Sequence, residues 1–562
     1  MRAKIILPIL LLVLAVTAVF IPVARNGFVN IDDGVMLVEY KSVHKLSLEN
    51  VRHVLFSVNA SLYNPLVSLS YMIEHHFGGM DPRVYHATNL VIHALNVILA
   101  FLLVYLLSGS LFVSLFSAAL FGIHPLHVES VAWITGRKDL LYAFFFLTGL
   151  ITYSIYAKNG EKKYYIACLF SFLLSLFSKP MAITLPLVLF LIDYLSGRKP
   201  DRRNISEKIP FFLLALIFGI LALATHYTGK TADTGQLPGI FARAGFSLYG
   251  IIFYLGKTLL PVGLSVIYPF RADNTPEWML VSSFIACLIF ASVISKRIRD
   301  KRLLFGIIFF LVTIAPVLQL VPVGQGVHGD RYTYIPLLGL FFALGTAVKS
   351  FFQKTGTRTR IFLAAGLALY ISALGAMTHA RTKIWNNSLS LWDSTVKSYP
   401  AFAAAYRWRA DACAEINNYR GAFADYENAL RLNPGFAQAY VSRGNLYMSL
   451  GERKKAVDDY SLAIKLDPSH AQAYYNRGRV YSAAGDYTRA VSDYTASLKI
   501  EPRQAQCLNN RGVAYARTGL YREALADFDA ALELDPSLSE ALKNRANVRS
   551  ITGSKKGDGS IF

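Results

Sequence analysis

The sequence predicts an all-α protein with two parts, a polytopic bundle of membrane helices and a superhelix of helical repeats. The chain has 562 residues, of which 54% are hydrophobic, and this fraction is high for a purely soluble protein of that length. Apolar runs follow one another through residues 1–378, whereas residues 401–553 are polar and repeat with a period of 34. The fold class therefore follows from composition, apolar segments and periodicity.

The N-terminal segment MRAKIILPILLLVLAVTAVFIPVA has a basic start and an apolar run longer than the core of a secretory signal peptide. We interpret it as an uncleaved membrane anchor. Further apolar runs are long enough, or nearly so, to cross a bilayer as helices. The eleven predicted spans are 5–22, 89–107, 111–124, 140–156, 164–178, 181–195, 210–225, 279–295, 303–322, 335–348 and 361–378.

Basic loops predict the orientation of these spans, because Lys and Arg collect in loops that stay in the cytoplasm. The basic clusters lie at residues 2–4, 158–163, 198–203, 296–302 and 349–360. They share one side if the stretch 244–260 does not cross, and we interpret that stretch as an interfacial or re-entrant helix. The formal charge of +21 then needs no nucleic-acid partner. An odd number of spans places the 23–88 loop and the repeats on the extracytoplasmic side of the cytoplasmic membrane, opposite the N-terminus.

The repeats carry proline, glycine and aromatic residues at fixed positions. Five prolines are spaced 34 residues apart, at 400, 434, 468, 502 and 536. The same step separates Gly444, Gly478 and Gly512, and it separates Tyr426, Tyr460, Tyr494 and Phe528. The pattern resembles the tetratricopeptide repeat, in which small residues let two helices approach and aromatic rings fill the groove. We predict four repeats over 401–536, a capping helix over 537–551 and a protein or peptide partner.

Four arginines share this period and lie just before the glycine position, at Arg409, Arg443, Arg477 and Arg511. Two interpretations are open: solvated structural arginines, or a basic stripe that contacts a ligand. Between the two domains, residues 379–400 are predicted to be a linker, and residues 554–562 a disordered tail.

Ionisable residues concentrate on the predicted outer face. The first outer loop carries Asp32 and Asp33 in the stretch FVNIDDGVML. Ionisable side chains are costly near the hydrocarbon, so this concentration favours a functional site, although interfacial anchoring and loop salt bridges are the alternative. The other candidate residues are His86, His124, His127, Glu129, Arg137, Lys138, Asp139, Lys179, His328 and Arg331.

Five motifs carry a resemblance to a known family. They are the DD pair after the first span, DPRVYHATNLVIHALN, HPLHVESVAWITGRKDLL, SKPMAITLPLVLFLIDYL and GDRYTYIP, followed by the repeats. In this order they resemble the transmembrane and tetratricopeptide-repeat-containing O-mannosyltransferases over nearly the whole chain. The resemblance implies a type C glycosyltransferase-like membrane domain, a polyprenyl-phosphate sugar as donor substrate and catalytic acids in the first outer loop. With four repeats, the chain resembles a bacterial relative.

Transfer from a lipid phosphate needs a base for the acceptor hydroxyl and a cation for the leaving phosphate. The resemblance places the base in the Asp32–Asp33 pair, and neighbours in an extended loop point opposite ways, so one of them faces the acceptor. A helix cap at Asp33 is the alternative. We expect the phosphate to be bound first by Arg331 and Lys179, with Arg137, Lys138 and His328 as further candidates.

A divalent metal could instead be held by His124, His127 and Glu129, although HPLH is also a kinked entry to a span. We expect no obligatory metal. The leading function is transfer of a sugar, with mannose implied, to Ser or Thr of a protein held by the repeats in contact with membrane lipid. The alternatives are a non-catalytic membrane-anchored repeat scaffold for an envelope complex, and a transporter, which would carry charges near the middle of its spans.

Overall fold

The computed structural model describes residues 3–58, 63–228, 240–269, 300–318 and 328–557, together with single positions between 281 and 291. The chain divides into two compact units, Met1–Ser398 and Tyr399–Phe562. Over the described residues the regular structure is helical, with no strand. The predicted all-α class is confirmed.

The first unit contains sixteen described α-helices, several of them joined by short 3-10 turns. They are α1 Ala3–Phe20, α2 Leu48–Phe56, α3 Pro65–Gly78, α4 Pro82–Ser108, α5 Leu111–Ile123, α6 Val128–Ala132, α7 Arg137–Asn159, α8 Lys162–Ser178, α9 Leu185–Ser196, α10 Arg202–Ser206, α11 Ile209–Thr228, α12 Ile240–Leu259, α13 Lys301–Ile314, α14 Pro336–Lys354, α15 Thr357–Thr382 and α16 Ser388–Ser398.

Among the described residues, six helical segments are long and apolar enough to cross a membrane: Ile6–Arg25, Pro82–Ser108, Ile134–Asn159, Arg202–Thr225, Pro336–Lys354 and Thr357–Asn386. A seventh is the pair Leu111–Ile123 and Pro125–Ala132, which bends by 52°. The predicted spans 164–178, 181–195 and 303–322 correspond to helices of 17, 12 and 14 residues, shorter than the roughly 20 residues that a bilayer requires. The span 279–295 lies largely outside the described residues. The number eleven therefore stays a prediction.

Local sequence signals explain where α4 starts and ends and where α5 starts. The Asp81 side chain accepts a hydrogen bond from the Arg83 amide at 3.0 Å, and Pro82 occupies the first turn of α4. Gly109 ends the helix with φ 63°, a conformation that favours glycine. Ser110 then caps α5, so two long helices follow each other without a connecting loop.

Glycine permits a close helix crossing between α13 and α14. A Cβ at Gly339 would lie 2.5 Å from the carbonyl oxygen of Gly306, and the reverse contact is equally tight. Small residues permit such backbone approach where the bilayer supplies no hydrophobic drive. The crossing fixes the start of α14, which follows the GDRYTYIP motif.

Residues 379–398, predicted as part of a linker, are instead helical and belong to the first unit. α15 continues to Thr382, a 3-10 turn covers Lys383–Asn386, and α16 follows. The segment buries Trp385 and Trp392 almost completely, and this apolar burial holds it against the bundle. In the predicted tail, residues 554–557 continue the last helix, and residues 558–562 lie outside the described residues.

The second unit consists of helix pairs with the predicted repeat. Its helices are α17 Ala403–Glu415, α18 Tyr419–Leu432, α19 Ala437–Ser449, α20 Arg453–Leu466, α21 Ala471–Ala483, α22 Tyr487–Ile500, α23 Ala505–Arg517, α24 Tyr521–Leu534 and α25 Ser539–Gly557. A Cβ at Gly478 would lie 2.9 Å from the Tyr494 ring. Glycine in the first helix of a repeat therefore makes room for the aromatic ring of the second.

The recurring arginines form one ion pair in each repeat. Nε and Nη2 of Arg477 donate to the two carboxylate oxygens of Asp493, both at 2.8 Å. The equivalent pairs are Arg409–Asp425, Arg443–Asp459 and Arg511–Asp527. Each guanidinium is thus neutralised by the second helix of its own repeat, which favours the structural interpretation over a basic stripe.

Candidate active site

The two adjacent acids lie in the segment that follows α1. Asp33 is fully buried. Its carboxylate accepts the backbone amides of Val29 at 3.0 Å and Thr135 at 3.2 Å. Burial raises the pKa of Asp33 to about 7, although the two amide donors oppose that rise. Its side chain makes no capping bond to the helical turn Gly34–Val38, so the helix-cap alternative is wrong.

Asp32 faces the other way. Its side chain is 41% exposed and forms an ion pair with Lys138 at 3.2 Å. The Asp32 backbone is also held, because its carbonyl accepts the Met36 amide at 2.8 Å. Of the two acids, Asp32 is the one that a dissolved acceptor can reach.

Three cations gather around two aromatic rings beside Asp32. Lys138 Nζ lies 4.8 Å from the centre of the Trp133 ring, and the Arg331 guanidinium carbon lies 5.6 Å from it. The same guanidinium lies 4.7 Å from the Tyr332 ring, and Lys179 Nζ lies 5.5 Å from that ring. Contacts of this kind stabilise cations over aromatic faces. We call Lys138, Lys179 and Arg331 the cation cluster.

Each member of the cation cluster also has a carboxylate partner. Lys138 pairs with Asp32, Lys179 with Asp139, and Arg331 with Glu129 at 2.5 Å. Arg331 is fixed twice, because its backbone amide donates to the other Glu129 oxygen at 3.1 Å. One carboxylate oxygen of Asp139, Oδ2, has no hydrogen-bond partner among the described residues. Each cation of the cluster is therefore neutralised by a carboxylate, and the ion pairs hold the cations in place.

A buried polar layer supports the turn that carries Trp133 and Lys138. The Asn89 amide donates to the carbonyls of Val131, Trp133 and Ile134 at 3.0–3.4 Å. Gly136 lies in the same turn, where a Cβ would lie 2.8 Å from the Ser130 carbonyl oxygen. Only glycine fits this turn without displacing backbone.

Arg137 belongs to this supporting layer and not to the cation cluster. It is fully buried, donates to Asn89 Oδ1 and the Tyr85 carbonyl at 2.7 Å each, and forms an ion pair with Glu74. Because its guanidinium is enclosed by these partners, it is not placed to bind a donor phosphate, which corrects the expectation from sequence. Its neighbour Lys138 points into the site instead.

A second network fixes the loop of Arg331. The buried carboxylate of Asp330 accepts the Tyr268 hydroxyl at 2.6 Å and pairs with Arg381 of α15 at 2.7 Å. Further along the same motif, the Tyr334 hydroxyl donates to His93 Nδ1 at 2.7 Å. The GDRYTYIP motif thus uses its first acid and last tyrosine for anchoring, and presents only Arg331 and the Tyr332 ring to the site.

Comparisons with known proteins identify the repeats and a group of related chains. Two repeat-family models match, described as "TPR repeat" at residues 444–485 and "Tetratricopeptide repeat" at residues 385–437 and 475–539. Protein O-mannosyl-transferase F38B6.6 of Caenorhabditis elegans is 29% identical over 394 residues, 66% of this chain and 53% of the relative. Human protein O-mannosyl-transferase TMTC1 is 22% identical over 425 residues, 66% of this chain and 48% of the relative.

The chain is a homologue of the protein O-mannosyl-transferases. The resemblance drawn from the five motifs and the repeats is thereby confirmed, while the matched region spans about half the length of these two relatives. Among solved structures, the crystal structure of MamA is similar, with a TM-score of 0.25 and 25% identity, over 27% of this chain and 90% of that chain.

The histidines of this homologue lie outside the cation cluster. His124 Nδ1 accepts the Leu126 amide at 3.3 Å, and its Nε2 donates to the Thr258 carbonyl at 3.0 Å. His127 and His86 are buried and bond the carbonyls of Phe121 and Gly27. These histidines therefore connect helices and loops. Among the described residues, no group of three His, Cys, Asp or Glu side chains is arranged to hold a metal ion.

His328 was expected near the phosphate and lies among aromatic rings instead. Its ring centre is 4.6 Å from Phe253, 5.6 Å from Tyr249 and 5.7 Å from Tyr254. Burial lowers its pKa to about 4, so it is neutral near pH 7 and supplies no cation to a phosphate.

Sequence reasoning missed Trp133, whose ring lies between Lys138 and Arg331. A signal existed, because the only tryptophan of the 124–141 loop stands four residues before an Arg-Lys pair. It also missed Asn89 and Glu74 as supports, since nothing in their local sequence shows that they face a buried arginine. Of the predicted residues, the structure brings together Asp32, Glu129, Lys138, Asp139, Lys179 and Arg331.

Proposed function

We propose that the chain is an integral membrane glycosyltransferase that moves mannose from a polyprenyl-phosphate donor to a Ser or Thr hydroxyl of a protein. The homologues are named protein O-mannosyl-transferases, and the six or seven potential spans among the described residues suit a donor that is itself a membrane lipid. The repeats hold the protein acceptor, since concave helical repeats bind peptide segments.

The observation that carries this proposal is the half-exposed carboxylate of Asp32 beside the cation cluster. Direct displacement of a phosphate from a sugar carbon requires a base and a cationic binding site that lie close together. Asp32 and Lys138 are 3.2 Å apart, and Lys138 shares the Trp133 ring with Arg331. The acid, the lysine and the arginine therefore form one continuous surface.

In the proposed reaction, Asp32 takes the proton of the acceptor hydroxyl. The hydroxyl oxygen forms a bond to the anomeric carbon, and the bond between that carbon and the phosphate oxygen breaks. The phosphate leaves with the electron pair, and Arg331 and Lys179 stabilise its added charge. Asp33 holds the loop through Val29 and Thr135 and takes no part in the proton transfer.

We also propose that these protein cations replace an obligatory metal, and that the site opens on the extracytoplasmic side. The basic loops at 198–203 and 349–360 would then lie in the cytoplasm. Arginine suits this task because its charge persists at any physiological pH and its planar group contacts two phosphate oxygens at once.

The test is transfer of radiolabelled mannose from polyprenyl-phosphate mannose to Ser/Thr-containing envelope proteins by the purified full-length chain in lipid nanodiscs. We expect label that is released from protein by alkaline β-elimination, with and without a chelator. The Asp32→Asn variant should transfer at least about a hundredfold more slowly. A chain that captures envelope proteins through its repeats but transfers no label would instead be the membrane-anchored scaffold.

A further inference from the structure

The loop that carries Asp32 is hydrogen-bonded to the segment that runs from the last residue of α15 into the first residues of α16. We call residues 382–392 the strap and residues 26–33 the acid loop. The Asn26 side-chain amide donates to the Thr382 carbonyl at 3.2 Å, and the Gly27 amide donates to the Asn386 carbonyl at 2.8 Å. Positions more than 350 residues apart in the chain are thus joined by backbone acceptors of the strap.

Two further bonds meet at Asn30, two residues before Asp32. The Asn30 amide donates to the Ser388 hydroxyl at 3.0 Å, and the Trp392 indole N–H donates to the Asn30 side-chain oxygen at 2.7 Å. Trp392 is fully buried, and Ser388 is 7% exposed. Both groups are therefore committed to Asn30 in a site largely shielded from water, where such bonds are strong.

Asp32 is therefore flanked in the chain by two residues, Asn30 and Asp33, that hydrogen bonds hold in place. On one side, Asn30 is fixed by the strap, and on the other, the Asp33 carboxylate is fixed by the amides of Val29 and Thr135. Only Ile31 separates Asn30 from Asp32. The position of the exposed carboxylate is therefore set by the strap as much as by its own loop.

The strap also contacts the other half of the site. The Trp385 ring stacks on the Trp133 ring, with centroids 6.0 Å apart and planes inclined by 28°. Lys138 and Arg331 both lie over the Trp133 ring. One segment thus contacts both the loop of the base and the ring that supports the cations, so it can set the separation between them.

The sequence register connects the strap to the repeats. Trp392 lies 34 residues before Tyr426, the aromatic position of the first repeat, and Pro400 lies 34 before Pro434. The repeat-family match begins at residue 385. α16 therefore has the sequence of a second repeat helix, yet its aromatic residue donates a hydrogen bond to the acid loop.

We propose that the strap is a positioning element, a half-repeat that sets the distance between Asp32 and the cation cluster through Ser388, Trp392 and Trp385. The proposal rests on the proposed transferase function for its kinetic consequence. Its structural consequence, a clamped acid loop, stands on the hydrogen bonds alone. The repeats follow α16 directly in the chain.

Two variants each remove one clamping bond. Ser388→Ala leaves the surrounding packing nearly unchanged, whereas Trp392→Phe also shortens a fully buried ring. Trp392→Phe removes the indole N–H, and Ser388→Ala removes the hydroxyl that accepts the Asn30 amide. The matched control is Thr395→Val, because Thr395 is also buried in α16 but its hydroxyl donates to the Leu391 carbonyl within the helix at 3.2 Å. All variants are full-length protein in lipid nanodiscs.

The first readout is hydrogen–deuterium exchange of residues 26–33. We expect exchange about tenfold faster in both clamping variants, because opening of the loop becomes easier, and unchanged exchange in Thr395→Val. This readout needs no activity. If the wild-type chain transfers no sugar, the proposed function fails, and exchange still decides the clamp. Exchange that stays at the wild-type rate in both variants overturns the strap as a positioning element.

The second readout is the kinetics of mannose transfer from polyprenyl-phosphate mannose. We expect kcat to fall about tenfold in Trp392→Phe and Ser388→Ala, since misplacing a base by a fraction of an ångström has effects of this size. The KM for the donor should stay within about twofold, because Lys179 and Arg331 keep their ion pairs with Asp139 and Glu129. Faster exchange with an unchanged kcat overturns the proposal, as does an equal fall of kcat in the Thr395→Val control.

Discussion

The side chains of Asp32 and Asp33 are neighbours in the chain and occupy opposite surroundings. The Asp32 side chain is 41% exposed beside Lys138, whereas Asp33 is fully buried and accepts two backbone amides. The first can exchange a proton with an acceptor, and the second can hold the loop. The pair therefore combines one acid that is accessible to an acceptor with one acid that holds the loop.

Asp33 should make stability depend on pH. Its pKa rises from 3.8 to about 7 in the folded protein, so folding favours its neutral form. The stability that this provides is fully present below about pH 4 and is lost as pH rises through about 7. Asp33→Asn cannot ionise, so we expect the difference in Tm between wild type and this variant to fall between these pH values. A difference that stays constant across the range would contradict the burial argument.

Arg331 should contribute to donor binding through its shape as well as its charge. Arg331→Lys keeps the charge but loses the planar group that contacts Glu129 and a phosphate at once. We expect kcat/KM for polyprenyl-phosphate mannose to fall by about 10–100-fold, and inhibition by free polyprenyl phosphate to weaken. The exposed Arg83, with 75% of its side chain accessible, serves as the matched control in Arg83→Lys. Equal kinetics in the two variants would remove Arg331 from the site.

Arg137 should behave as a structural residue. Removing one partner of a buried ion pair costs about 3–5 kcal/mol, so Arg137→Gln should lower Tm and yield through the unpaired Glu74. Whatever protein remains folded should bind the donor with an unchanged KM. An increased KM at an unchanged Tm would return Arg137 to the phosphate site.

The repeat arginines should stabilise their own repeat. Arg477→Gln breaks two charge-assisted hydrogen bonds to Asp493, and bonds of this type contribute about 1.5–3 kcal/mol each. We expect faster hydrogen exchange in α21 and α22 of the full-length protein, and peptide capture by the folded fraction to keep its salt dependence. A flattened salt dependence with unchanged exchange would support the basic-stripe interpretation instead.

The sequence predicts the fold where a pattern is periodic or strongly apolar. The repeat spacing identifies the glycine that lies against an aromatic ring, as at Gly478 and Tyr494. The more polar composition after residue 378 predicts a linker there. Tertiary burial of Trp385 and Trp392 decides that region, and such burial depends on partners hundreds of residues away.

Some features of the candidate site can likewise be predicted from the sequence, and others cannot. Motif order predicts that Asp32, Lys179 and Arg331 lie at one end of the bundle, because each follows or precedes an apolar run, and the structure brings the three residues together. It does not separate Arg137 from Lys138, since adjacent residues in a turn differ only in direction. The enclosing partners of Arg137, Glu74 and Asn89, lie on other helices, so local sequence gives no sign of the enclosure.

The most direct test of the central claim compares Asp32→Asn with Asp33→Asn in single-turnover transfer of radiolabelled mannose from polyprenyl-phosphate mannose. Protein that elutes as a single species at the wild-type volume is used for both. We expect the rate to fall at least about a hundredfold for Asp32→Asn with donor binding retained, and to fall less for Asp33→Asn, in line with its lower Tm. Equal rates for Asp32→Asn and wild type, or a larger loss in folded Asp33→Asn, would contradict the assignment of Asp32 as the base.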